Sequence, residues 1–190
     1  MNKWDRRYSQ DESLMLRPLP LIEECCKGMA PARALDLACG SGRHSLYLAG
    51  LGWKVTAVDF SEVALVLLQS RATERNLKID TRLADLEKGE FIIEPESYDL
   101  IIDTFYLQRG LFSQIRQGLK IGALLIAVIA LIDHDPDLKP MNPDFLLEPG
   151  ELKSEFSDFE IIHYLETRRD PQKRPNAEIV ARKVNRQAEL

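Results

Sequence analysis

Cysteine is scarce in this 190-residue chain, which holds only Cys25, Cys26 and Cys39. Two are adjacent and the third sits among glycines. No even disulfide framework is expected, and reduced thiols are the simplest account. Histidine is equally sparse: His44, His134 and His163 are scattered, with no Cys/His spacing for a metal, so no metal site is expected. There is no basic excess. Lys+Arg 25 against Asp+Glu 30 gives a net charge of −5, which argues against a nucleic-acid surface. No apolar run spans a bilayer: the longest, Ile121 to Ile132, reads instead as a central buried strand. Met1 to Arg7 leads into no apolar segment of a secretory signal, so a cytoplasmic protein is expected. What is present is ordinary for a soluble globular protein, 45% hydrophobic and 29% charged, at a length that suits one domain.

The informative stretch is ALDLACGSGRHSLYLAG (34–50), followed by KVTAVDF (54–60). Ala34, Leu35 and Leu37 form a short apolar run bounded by a turn, as a buried parallel strand does. Gly40 and Gly42 permit a sharp turn and a close ligand approach. Arg43 to Gly50 reads as a helix, whose free N–H groups would accept an anionic ligand group. The second strand, Val55 to Val58, ends at Asp59. A carboxylate there accepts hydrogen bonds from a ribose diol, as in dinucleotide folds about 20 residues past their turn. A third glycine is missing. G-x-G-x-x-G needs one where this chain has Ser45, which disfavours a nicotinamide-dependent reductase. Asp36 stands before the glycines, where a dinucleotide has no use for an acid. A donor carrying a methionine ammonium does, so S-adenosylmethionine is the ligand these residues favour.

The rest of the chain alternates. A helix is expected over Leu19–Met29, and another over Glu62–Arg75, capped by Ser61 and with Ala64, Leu67, Leu68 and Ala72 as its stripe. Strands are expected over Ile79–Leu83 and Tyr98–Asp103, then a helix over Leu111–Leu119. A turn bracketed by Gly118 and Gly122 precedes a strand over Leu124–Ala130. Loop 133–150, rich in proline, is placed on the surface. A short helix from Glu151 to Phe156 and two strands, Phe159–Glu166 and Ala177–Val184, close the order as an antiparallel pair. This argues an α/β fold with a doubly wound, mostly parallel seven-stranded sheet and a terminal antiparallel hairpin. One domain is divided into an N-terminal cap or lid (1–30), a donor-binding core (31–132) and a substrate-side segment (133–190).

These pieces resemble class I S-adenosylmethionine-dependent methyltransferases over most of the chain. LDLACGSG, VTAVDFS, LADLE, YDLIID and LKIGALLI are similar to their successive motifs. WDRRY, GRHSLYLA, YLQRGLF and NPDFLLEPGEL are similar to the tellurite-resistance methyltransferase family. The resemblance implies that Asp36, Ala38, Gly40 and Gly42 hold the methionine end of the donor. Asp59 would take the ribose, with Phe60 beside the adenine. Asp85 would face the adenine amino group, between Ala84 and Leu86. Asp103 and Thr104 would line the methyl-transfer mouth, and Trp4, Arg7 and Tyr8 would fold over the donor. Ala38 replaces a glycine frequent in the first motif and is expected to keep an ordinary backbone. Ile121 and Ala123 replace a proline and a glycine in a turn away from the donor.

Local readings stand beside these. Asp36 also suits a helix or turn cap, and Asp85 a solvated turn. Arg43 suits an anionic substrate or a first-turn surface position. Arg109 suits the substrate pocket or a pairing with an acid. His44 reads as a packing or hydrogen-bonding residue rather than a base. With no convincing general base, the expected reaction is direct in-line displacement on a small acceptor: a thiol, a chalcogen oxyanion or a small acid. Asp103, Arg43 and Arg109 are the candidates for positioning that acceptor. S-adenosylhomocysteine is the expected product and a monomer or homodimer the expected state. A non-catalytic donor-binding protein and a methyltransferase acting on a macromolecule are the rival readings.

Overall fold

The computed structural model describes residues 3–10, 17–133, 141–167 and 174–185. The chain packs as two compact units, Met1–Ile92 and Ile93–Leu190. The division falls inside the segment assigned above to the donor-binding core.

The first unit carries α1 (Lys3–Gln10), α2 (Pro20–Cys26), β1 (Arg33–Leu37), α3 (Arg43–Gly50), β2 (Lys54–Asp59), α4 (Glu62–Glu74) and β3 (Ile79–Leu83). Its strands are parallel, with Asp36 beside Ala57 and Asp59 beside Leu83. β1 is buried from Ala34 to Leu37, which is why it reads as a continuous apolar run around a single acid. Leu35, Leu37, Leu46, Leu48 and Leu68 are sealed from solvent. Burial of a side chain of this size contributes about 1.5–3 kcal/mol. Ser61 caps α4 as expected, its hydroxyl accepting the Ala64 N–H at 3.2 Å. The buried stripe of α4 is Ala64, Leu65, Leu68 and Ala72, so Leu65 takes the place given to Leu67. The N-terminal segment contains a helix that no apolar period announced. α1 packs on α4, and Trp4 and Tyr8 stack at a centroid distance of 6.3 Å with the Arg7 guanidinium over Trp4.

The second unit carries β4 (Tyr98–Thr104), α5 (Leu111–Gly118), β5 (Leu119–Ala130), α6 (Glu151–Glu155), β6 (Glu160–Glu166) and β7 (Asn176–Arg182). β5 runs parallel to β4 and antiparallel to β7, which pairs with β6. The turn expected over 118–122 is not a turn. β5 already pairs at Leu119, and the register jumps from Tyr98–Leu119 to Leu100–Leu124. Gly122, at φ +84°, absorbs that irregularity while its N–H donates to Lys183 O. The proline-rich loop is less superficial than expected. Leu146 and Leu147 are buried, and Leu147 bridges to Leu131. The prolines at 136 and 140 and His134 lie outside the described residues. Phe156 is sealed between Phe112 and Phe159, at centroid distances of 5.4 and 5.5 Å.

The seven strands form one mixed sheet in the order β3-β2-β1-β4-β5-β7-β6, the expected fold class. Among the described residues no helix is long and apolar enough to cross a membrane.

Candidate functional site

The first unit builds a polar cluster around the turn between β1 and α3. Ala38, Gly40 and Gly42 all adopt left-handed backbone, at φ +48°, +55° and +85°. The turn therefore alternates, and Gly42 becomes the N-cap of α3. Ala38 does not keep the ordinary backbone expected of it. Left-handed backbone costs an L-residue roughly 1–2 kcal/mol. Ala38→Gly should therefore stabilise the protein by up to about 1 kcal/mol, after the added entropy of the unfolded chain. Urea denaturation measures it, and a destabilised variant would mean that the Ala38 methyl contributes packing worth more than the strain.

Asp59 ends β2 next to this turn and is 7% exposed. Its Oδ2 accepts the Gly40 N–H at 2.8 Å, and its Oδ1 accepts the Ser61 N–H at 2.8 Å. A carboxylate offers about four lone-pair sites, so capacity remains for a ligand hydroxyl beside these amides. Burial raises its pKa, opposed by the amides of Ser61, Gly40 and Phe60, and Asp5 adds to the rise. Asp5 on α1 accepts the Ser61 hydroxyl at 2.6 Å, which ties the N-terminal helix to the exit of β2. The same helix lays Tyr8 over the turn: a Cβ added at Gly40 would lie 2.3 Å from the Tyr8 hydroxyl. Burial, and then Asp59, push the Tyr8 hydroxyl up to about 12.

Asp36 lies below the turn, 1% exposed. Its Oδ2 accepts the Ser45 hydroxyl at 2.5 Å, while its Oδ1 is buried with no hydrogen-bond partner. Burial raises its pKa to about 7, against the pull of Ser45 and Arg43. Arg43 opens α3, half-buried, where burial lowers its pKa and Asp36 and Tyr8 raise it. His44 is buried. Its Nε2 accepts the Leu19 N–H at 3.4 Å, and burial lowers it to about 3. It is a neutral hydrogen-bonding residue, as read from the sequence.

β3 delivers the remaining first-unit candidates to this cluster, since the Ala84 N–H donates to Asp59 O at 3.0 Å. Ala84 and Leu86 are buried, and Phe60 is 40% exposed beside Asp59. Asp85 is engaged locally: it accepts the Glu87 N–H at 3.0 Å and pairs with Lys88 at 2.8 Å. In the second unit Asp103 and Thr104 are buried at the end of β4, followed by Phe105 at φ +59°. Arg109 takes the alternative of pairing with an acid. Its Nε lies 2.5 Å from Glu151 Oε1, and its other nitrogens donate to Glu151 Oε2 and to the carbonyls of Asp144 and Leu146. It clamps the segment before α6.

Asp36, Ala38, Gly40, Gly42, Asp59, Arg43 and Tyr8 thus converge within one unit. Ser45, by pattern only a missing glycine, and the tie between Asp5 and Ser61 join them. An acid on a strand and a serine on the third residue of the next helix were the available signal for Ser45.

The residues suit a ligand with a cation at one end and a diol at the other. A buried carboxylate oxygen awaits a donor, and a second carboxylate keeps free lone pairs. The fold is that of class I S-adenosylmethionine-dependent methyltransferases. A model of the family described as tellurite resistance protein TehB matches residues 6–177, and the chain belongs to that family. A probable S-adenosyl-L-methionine-dependent methyltransferase TehB from Haemophilus influenzae is 30% identical over 152 residues, which cover 76% of this chain and 52% of the relative. The chain spans about half the length of these curated relatives. The crystal structure of TehB from Haemophilus influenzae superposes with a TM-score of 0.76 at 27% identity, over 95% of this chain and 67% of the other. The fold also matches geranyl diphosphate C-methyltransferase from Streptomyces coelicolor, solved with S-adenosyl-L-homocysteine. That match has a TM-score of 0.69 at 13% identity and covers 86% and 77% of the two chains.

Proposed function

We propose that this chain transfers the methyl group of S-adenosylmethionine to a small acceptor: a thiol, a chalcogen oxyanion or a small acid. The observation that carries the reading is the pair of buried acids, Asp36 and Asp59, on either side of a left-handed glycine turn. Asp36 and the turn would hold the methionine end. Asp59 would hold the ribose, with Phe60, Ala84, Asp85 and Leu86 around the adenine. Trp4 and Tyr8 on α1 would cover the donor. The donor supplies a methyl group on a cationic sulfur, which passes to the acceptor as the acceptor's lone pair takes the carbon and the bonding pair returns to sulfur.

The protein's part is then position and dryness. In the first unit Arg43 would orient the acceptor; in the second, Arg109 holds the segment before α6. His44 is a poor base, because burial lowers its pKa to about 3 and its Nε2 already accepts a backbone N–H. This favours an acceptor that is nucleophilic on its own. A cytoplasmic setting is consistent with the three free cysteines.

Calorimetric titration with S-adenosylmethionine, S-adenosylhomocysteine and NAD tests the donor. Micromolar binding of the two sulfur ligands and none of NAD is expected, and absence of both sulfur ligands would sink the reading. Asp59→Ala should weaken S-adenosylhomocysteine by about 1–3 kcal/mol through the lost ribose hydrogen bonds. It should also lower stability, because Gly40 and Ser61 lose their acceptor. Unchanged affinity in a folded variant would remove Asp59 from the site. Activity is then screened with thiols, tellurite, selenite and small acids.

A further inference from the structure

Ser45 occupies the place of the third glycine in a dinucleotide turn, yet its side chain is neither exposed nor idle. It is sealed from solvent on the third residue of α3. Its hydroxyl reaches back to β1, 2.5 Å from Asp36 Oδ2. A glycine there would let helix and strand pack closely but would leave the buried carboxylate only the backbone amide of residue 45. Such a group costs free energy and protonates readily. Among the described residues, the side-chain donor recorded on Asp36 is this hydroxyl, and Oδ1 accepts nothing.

We propose that Ser45 is a positioning residue for the donor's ammonium: by pinning Oδ2 of Asp36 it fixes the carboxylate plane and leaves Oδ1 as the acceptor for the amino group of the methionine end. The inference rests on the donor reading above and assigns a residue that reading does not use. Ser45 also favours the ionised form that an ammonium requires, since a hydrogen bond to a carboxylate stabilises its charge. The other ionisable groups facing Asp36 are Arg43 on α3, which favours the charge, and Asp59 on β2, which opposes it; the Cys39 thiol in the turn stays neutral. Donor affinity should therefore rise with pH through the neutral range as Asp36 ionises, and the midpoint should move upward when Ser45 is lost.

The test compares two ligands that share the adenosine thioether. S-adenosylhomocysteine carries the ammonium; 5′-methylthioadenosine does not. Ser45→Ala is expected to weaken S-adenosylhomocysteine about 10- to 100-fold, the range for a hydrogen bond to a charged group. It should leave 5′-methylthioadenosine within about twofold. Ser45→Thr, which keeps the hydroxyl, should retain the wild-type ratio of the two affinities. Ser45→Cys fills the same space with a much weaker donor, and must show the selective loss if the alanine variant does not fold. Equal weakening of both ligands means Ser45 only supports the turn, and no weakening of either means it does not act on the ammonium. Each result overturns the inference while leaving the donor reading intact. If wild-type protein binds neither ligand, the donor reading itself fails.

Discussion

Gly42→Ala should cost roughly 2–5 kcal/mol of stability and abolish donor binding in whatever fraction remains folded. Two terms add. The residue sits at φ +85°, where a side chain costs about 1–2 kcal/mol. The new Cβ would also lie 2.1 Å from Leu68 Cδ1 and 2.9 Å from Leu68 Cγ. Leu68 is sealed in the core under α4 and has little room to yield. Overpacking of this kind costs about 1–3 kcal/mol. Gly50 is the control, since it has nothing within 4 Å and no positive φ. Gly50→Ala should be neutral or stabilising by about 0.4–1 kcal/mol. Urea denaturation of both variants decides it. A Gly42→Ala protein within about 1 kcal/mol of wild type would show that the turn adapts, and the close seating of α3 on α4 would have to be abandoned.

The second large effect lies in the pH dependence of stability. Burial raises Asp36 from 3.8 to about 7 and lowers His44 from 6.5 to about 3. For Asp36, the folded state keeps a proton that the unfolded state has lost. Its contribution is fully present below 3.8 and is lost as pH rises toward about 7. For His44, the unfolded state takes a proton that the folded state refuses. Its contribution is present above 6.5 and is lost as pH falls toward about 3. Each slope is about 1.4 kcal/mol per pH unit. The two oppose each other where their windows overlap, so wild-type stability should change little on their account between about pH 4 and 6.5. Asp36→Asn removes one slope and keeps the Ser45 hydrogen bond. Relative to wild type its stability should climb by roughly 2–3 kcal/mol across that interval. His44→Gln should show the reverse trend. A difference curve for Asp36→Asn that is flat in pH would mean Asp36 is already ionised in the folded protein.

Much of this architecture was legible in the chain, because period and punctuation agreed. β3 is found at its expected bounds, Ile79–Leu83, and α3 at Arg43–Gly50, where the helical stretch runs into Gly50 and Gly52. The failures have specific causes. α1 escaped notice because Lys3–Gln10 carries only Trp4 and Tyr8 as large apolar residues, and its order comes from packing on α4. The early start of β5 was hidden by Gly118 and Gly122, which read as turn residues but here serve packing and an irregular register. The left-handed Ala38 was invisible because backbone conformation at a non-glycine residue is dictated by its neighbours. In the candidate site, residue types pointed to a donor with a cation and a diol. That Asp59 is already engaged by the amides of Gly40 and Ser61, among others, and Asp36 by Ser45, required distances.

The order β5-β7-β6 carries a consequence for synthesis. The strand made last enters the sheet between two made earlier. Until Asn176–Arg182 has left the ribosome, β6 has no partner and β5, an apolar strand buried over most of its length, presents a bare edge. Unpaired apolar edges recruit strands from other chains. Chains stalled or truncated before β7 should therefore aggregate, and chains that include it should escape that fate once β7 has paired.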